Sequence, residues 1–239
     1  PFIALWSVSP LIAWWLSRPT VPPRPKLSDA DVRFLRIAAR RTWRFFETFV
    51  APIDNYLPPD NFQEDPPRGI AHRTSPTNIG LSLLANLGAY DFGYITSGEV
   101  IGRTGQTLAS VEKLQRYRGH LFNWYDTVTL EPLRPLYVSS VDSGNFAGHL
   151  LTLALGLNEM AEQKIVDPRL IAGASATLEA MFEIARTSSR GAAAAGARAA
   201  ASDLFTKLER LRALFSNKVT TLSSMRTLTP PRVTVALIA

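Results

Sequence analysis

The sequence predicts an all-α fold: a partial (α/α) toroid of helical hairpins joined by long polar and aromatic loops, preceded by the end of a transmembrane helix. Three observations predict it. Apolar residues recur at helical spacing in five separate stretches between residues 28 and 186, while strand signals are few. The helical stretches are separated alternately by short and long connections, as in hairpins arranged around a ring. Finally, a run of almost unbroken apolar residues opens the chain, and a proline-rich linker follows it.

The opening run, PFIALWSVSPLIAWWL, has only Pro1, Ser7, Ser9 and Pro10 outside the apolar set. As a helix it covers ~24 Å, just short of a ~30 Å hydrocarbon core. Trp14 and Trp15 stand at its end, where aromatic side chains anchor at a membrane interface. A buried core helix and a targeting segment are the rival readings, but the latter lacks a basic start and a small-residue cleavage site. Residues 1–17 are therefore read as the end of a transmembrane helix, with membrane lipid as their partner. Eight cations from Arg18 to Arg44 (Arg18, Arg24, Lys26, Arg33, Arg36, Arg40, Arg41, Arg44) face only Asp29 and Asp31. Cations behind a span place the rest of the chain on the cytoplasmic face of the membrane. A juxtamembrane helix near anionic lipid explains this stripe better than nucleic acid does.

Residues 18–27, RPTVPPRPKL, hold four prolines and read as a stiff linker. Ser28 opens the first helix of the main domain, residues 28–187, with Asp31 completing a weak capping box and Pro52 ending the helix. Residues 52–77 contain six prolines and little periodicity, so a loop of this length is expected to carry something. Helical patterning returns at 78–89, 97–118, 146–164 and 168–186. The best strand signal is 136–141. Residues 188–239 read as an Ala-rich helix and a poorly structured tail, with an amphipathic helix near 203–215.

Composition excludes much. The chain has 239 residues, 46% of them hydrophobic, and no cysteine, so a real core is possible and disulfides and thiolate sites are not. Its three histidines lack metal-ligand spacing, and its glycines form no phosphate-binding loop. The reading is no metal and no cofactor.

Two clusters carry the functional signal. Thr74, Ser75, Thr77 and Asn78 stand before one apolar helix, with His72 and Arg73 leading in. Asp142, Ser143 and Asn145 stand before another, at an offset of 67 positions from Asn78 to Asn145. Short polar side chains at the mouths of inner helices, with free backbone N–H groups, suit a ligand rich in neutral hydroxyls. The loops ahead of them supply aromatics for stacking: Tyr56 and Phe62, then Phe122, Trp124, Tyr125 and Tyr137. The plainer reading makes the Ser and Asn residues helix N-caps. His120, Asn123 and Asp126 complete the list of expected sugar-binding residues; His149, on an apolar helix, reads as a core residue. Glycoside chemistry requires two carboxyl groups, and Glu64, Asp126 and Asp142 are weak candidates. Asp60 and Asp65 are further loop carboxylates.

Five motifs in order then resemble one family: RRTWRFFETFV, LPPDNFQEDP, AHRTSPTNIGL, RGHLFNWYDTVTLEPL and YVSSVDSGNFAGHLL. They resemble the glucoamylase-like middle region of the cyclic β-1,2-glucan synthases, over about Leu35 to Glu162. The resemblance implies a segment of a large bacterial inner-membrane enzyme. Such enzymes elongate glucan from UDP-glucose, cyclise it by transglycosylation in an α/α toroid, and trim it in a phosphorylase-like region. It implies β-1,2-glucan or another glucose oligosaccharide as ligand, and the remaining regions of the parent synthase as partners. The family's later Gly-Ser-Met-Phe-Glu type motif, which supplies a carboxylate, has no counterpart here. The expectation is a fragment with its sugar-binding rims present and its catalytic pair incomplete. The alternative is a non-catalytic, membrane-attached glycan-binding or scaffolding module.

Overall fold

The computed structural model describes residues 2–18, 26–163, 167–191, 203–211 and 213. By compactness the chain divides into residues 1–32 and 33–239. Among the described residues the structure is mostly helical, as expected. In the first unit, α1 (Phe2–Leu16) is an apolar helix of 15 residues whose large side chains, Phe2, Trp6 and Trp15 among them, are exposed. No helix of the described residues is long and apolar enough to cross a membrane, so the expected span end is not shown. Most of the proline-rich linker lies outside the described residues, as does most of the tail after residue 191.

The helix α2 (Asp29–Phe49) starts where Ser28 and Asp31 exchange hydrogen bonds, the Ser28 N–H donating to Asp31 at 3.0 Å. Three cations of its basic stripe also make contacts within the domain. Arg33 pairs with Glu179 at 2.7 Å and Arg41 with Glu183 at 2.6 Å, both on α6 (Arg169–Gly191), and Arg40 donates to Thr177. These cations fasten two helices together. Each exposed pair is worth only ~0–1 kcal/mol, so the seam acts as registration more than as stability. Residues 203–211, also helical, set Phe205 and Leu208 against Phe182 of α6.

Next come α3 (Pro76–Asp91), α4 (Ser97–Lys113) and α5 (Ser140–Ala161). Ser75 caps α3, accepting from the Asn78 N–H at 3.2 Å, and Pro76 fills the first turn, where no N–H is needed. Thr96 and Glu99 form a full capping box on α4. The helix α5 starts six residues before the expected Phe146, because Ser139 caps it through the Asp142 N–H. The expected strand 136–141 does not form; Ser140 and Val141 are already helical.

The helices α3 and α5 pack closely. A side chain at Gly80 would meet His149 Nδ1 at 2.2 Å, and one at Gly156 would meet Leu87 Cδ1 at 2.5 Å. The main core gathers here: Leu57, Ile79, Leu83, Leu121, Phe122, Tyr125 and Leu153 are buried together. Each fully buried large side chain stabilises the fold by ~1.5–3 kcal/mol. A second cluster joins Trp43 of α2 to Ala89, Ile95 and Val100. The other side of α5 stays open, with Val141, Leu151 and Leu155 each about 70% exposed.

Among the described residues, three two-stranded ribbons stitch the long loops: β1 (Phe62–Gln63) with β2 (Gly69–Ile70), β3 (Arg73–Thr74) with β6 (Tyr125–Asp126), and β4 (Arg116–Tyr117) with β5 (His120–Leu121). The middle ribbon joins the loop before α3 to the loop before α5.

Candidate functional site

The antiparallel pairing of β3 with β6 sets Arg73 opposite Asp126 and Thr74 opposite Tyr125. Opposed residues share a face, and faces alternate along a strand. Thr74 and Tyr125, with Thr127, therefore turn inward and are completely buried. Tyr125 was expected at the sugar. Instead its hydroxyl donates to the Gln115 carbonyl at 2.6 Å and accepts from the Phe122 N–H at 2.7 Å. Burial raises its pKa above the usual phenol value. Ser75, 5% exposed, is a helix cap.

Behind this ribbon lies a buried carboxylate that the sequence reading missed. Asp54, 1% exposed, receives His72 Nδ1 at 2.7 Å and the Thr127 hydroxyl on one oxygen. Its other oxygen and the Thr74 hydroxyl are buried without a partner. Asp54 follows a proline in the 52–54 turn, and nothing local marks it. His72 keeps 39% of its side chain exposed, on the opposite strand face from Arg73.

The outward face is a connected polar and aromatic rim. Arg73 grips one oxygen of Asp60 through Nε (3.1 Å) and Nη2 (2.8 Å), while the Asn78 amide donates to the other at 3.3 Å. The Arg73 guanidinium lies 5.0 Å from the centre of the Trp124 ring. The Thr77 hydroxyl donates to Asp142 at 2.6 Å, and the Asn145 amide donates to Thr77 at 3.2 Å. Asn123 takes the amide orientation its neighbours require. Its oxygen accepts from the Tyr137 hydroxyl at 2.5 Å and from the Trp124 indole N–H at 2.6 Å, and its nitrogen donates to Asp142 at 2.9 Å. Ser143 lies 3.2 Å from His120 Nδ1. The two expected clusters thus meet at one rim. Asp60, expected only as a loop carboxylate, and Tyr137, expected only as a loop aromatic, belong to it.

The carboxylates differ sharply in their surroundings. Asp126 heads a turn: one oxygen accepts from the backbone N–H groups of Val128 (2.9 Å) and Thr129 (2.8 Å). The Thr129 bond above all, against an opposing effect of burial, holds its carboxyl below the usual range. Asp142 sits in the first turn of α5, where the helix dipole favours a negative charge. Glu64 is exposed between β1 and β2. Among the described residues, no group of three or more His, Asp or Glu side chains is placed to hold a metal.

No family model matches the chain. A solved structure from Bacteroides fragilis NCTC 9343, provisionally called a glucoamylase, is 19% identical with a TM-score of 0.45, covering 60% of this chain and 37% of its own; that likeness is too slight to carry an argument. The sequence comparison is stronger. The cyclic beta-(1,2)-glucan synthase NdvB of Rhizobium meliloti (strain 1021) is 50% identical over 163 residues, which is 68% of this chain. The chain spans about 6% of that protein's length. On that identity, the chain belongs by sequence to the cyclic β-(1,2)-glucan synthase family.

Proposed function

We propose that the rim is a glucan-binding surface, and that the chain acts as a segment of a carbohydrate-active enzyme making cyclic β-1,2-glucan. The observation that carries this reading is the joining of two helix mouths through Thr77, Asp142 and Asn145. A glucan presents neutral hydroxyls on its ring edges and C–H groups on its ring faces. Arg73, Asn78, Ser143, Asn145 and His120 offer bonds to the first, and Trp124 and Tyr137 offer rings to the second. The relative, a cyclic beta-(1,2)-glucan synthase, supports the β-1,2 linkage among glucans.

In this reading the domain, residues 28–187, is part of an α/α toroid, and further helices of a parent synthase cover the open face of α5. Residues 1–17 meet lipid at a bacterial inner membrane, with the domain on its cytoplasmic face.

One observation favours the second reading, a glycan-binding or scaffolding module without its own catalysis. A general acid in glycoside cleavage needs a raised pKa. Asp126 is lowered, and Asp142 and Asp60 each accept bonds on both oxygens. These bonds commit the rim's carboxylates to their neighbours, and none of the three stands out as a general acid.

The experiment is calorimetric titration of the folded chain with soluble linear β-1,2-glucooligosaccharide at low and high salt. Saturable binding that ignores salt, and that Thr77→Val weakens, is expected. Absence of binding refutes the proposal. So does binding that collapses with salt, as phosphate-driven binding does.

A further inference from the structure

We propose that Asn123 and Arg73 are positioning residues that lock the Trp124 ring as a stacking platform, and that Asn123 is not itself a sugar ligand. This rests on the glucan-binding reading above and specifies how that surface works.

The argument for Asn123 is an accounting of its bonds. A side-chain amide has two acceptor positions on oxygen and two donors on nitrogen. The oxygen is saturated by the Tyr137 hydroxyl and the Trp124 indole N–H, and one donor is used on Asp142. Asn123 is also only 8% exposed. A sugar hydroxyl has no acceptor left to find there, and almost no surface by which to approach.

Trp124 is constrained from two directions. Its only polar atom, Nε1, is bound to Asn123, so it can meet a ligand only through its ring. The Arg73 guanidinium lies over that ring at 5.0 Å and is itself fixed by two bonds to Asp60. Edge and face are both held, which leaves the ring no freedom to lose on binding. A preorganised aromatic surface keeps more of its contact energy as affinity. The C–H face of a pyranose is the ligand chemistry such a surface takes. Recognition here reads ring faces, and hydroxyl discrimination falls to Thr77, Asn78 and Asn145.

The test uses the chain labelled with ¹⁵N-tryptophan, with the Trp124 indole signal assigned by its loss in Trp124→Phe. The probe is linear β-1,2-glucooligosaccharide. In Asn123→Ala, without ligand, the Trp124 indole N–H should shift upfield and exchange faster. The dissociation constant for the oligosaccharide should rise about tenfold, the size of one lost hydrogen bond. If Asn123→Ala does not fold, Arg73→Gln makes the same test from the ring face: the indole signal should shift, and affinity should fall by a smaller factor. Weakened binding with an unmoved indole signal makes Asn123 a direct ligand and overturns the proposal. So does a moved signal with unchanged affinity. A Trp124→Ala chain that binds as tightly as the parent removes the glucan reading at this rim, and this inference with it.

Discussion

Replacing Gly80 by alanine tests the packing that brings the two helix mouths together. An added Cβ would lie 2.2 Å from His149 Nδ1, 2.8 Å from its Cγ and 2.9 Å from its Cβ. The last of these is no flexible tip, so rotating the imidazole does not relieve the clash, and α3 and α5 must separate. Two effects compete. Alanine in a helix interior gains up to ~1 kcal/mol over glycine. Overpacking a tight contact costs ~1–3 kcal/mol. A contact at 2.2 Å takes the upper part of that range, ~2–3 kcal/mol, so the balance is a loss of ~1–2 kcal/mol, or ~2–8 °C in Tm for a chain of this size. Thermal unfolding followed by circular dichroism measures it. Gly88 provides the internal control, since it lies in the same helix and a Cβ there meets nothing within 4 Å. Gly88→Ala should therefore raise Tm. In a His149→Gly background, Gly80→Ala should become stabilising, because the imidazole and its Cβ are both gone. A Gly80→Ala chain that melts at or above the parent temperature refutes the close approach of α3 to α5.

Tyr125→Phe should cost ~1–3 kcal/mol, because it strands the buried Phe122 N–H and takes the donor from the Gln115 carbonyl. Glucan affinity of the folded protein should be unchanged; a lost affinity would return Tyr125 to the site. Asp126 has a lowered carboxyl, so its support of the 126–129 turn is complete above the ordinary carboxylate range and fades as pH falls through the lowered value, below about 4. The Val128 and Thr129 amide shifts should follow that titration in the parent and lose it in Asp126→Asn; shifts that titrate alike in both would refute the assignment.

The legible parts of the fold were those written in local chemistry. The helix starts expected at 78 and 97 fall within two residues of those found, at Pro76 and Ser97, which Ser75 and Thr96 cap. The start of α5 was missed for a physical reason. The stretch Tyr137 to Gly144 is rich in β-branched residues, serine and glycine, which argue locally against helix. Yet Ser139 stands three residues before Asp142, the same spacing as Ser28 and Asp31, and its hydroxyl accepts the Asp142 N–H. The capping signal was present; propensity outweighed it in the reading and did not do so in the structure. The basic stripe shows another limit. Which cations of α2 face solvent depends on where α6 lies, and Glu179 and Glu183 are about 140 positions away.

Within the site, adjacency was readable and orientation was not. The repeated pattern sets Asn78 and Asn145 at matching positions before two apolar runs, and packing those runs side by side brings Thr77 against Asn145, although α5 starts more than a turn earlier than the pattern suggests. A two-residue strand, by contrast, shows no alternation from which to tell its faces. Whether Thr74 or Arg73 reaches the rim depends on the register between β3 and β6, which is fixed by pairing across some fifty positions. The same register sends Tyr125 inward, brings Thr127 onto Asp54 and carries His72 away from Arg73. Asp54 had no chance of being read, because its hydroxyl partner lies 73 positions off and its burial is a product of the assembled core. Asn123 is the instructive case. Its residue type and loop position argue for a ligand contact, and only the bonds around it show an amide already spent on holding its neighbours. Spacing shows which residues gather. Which of them remain free to bind is decided by the hydrogen bonds they have already made.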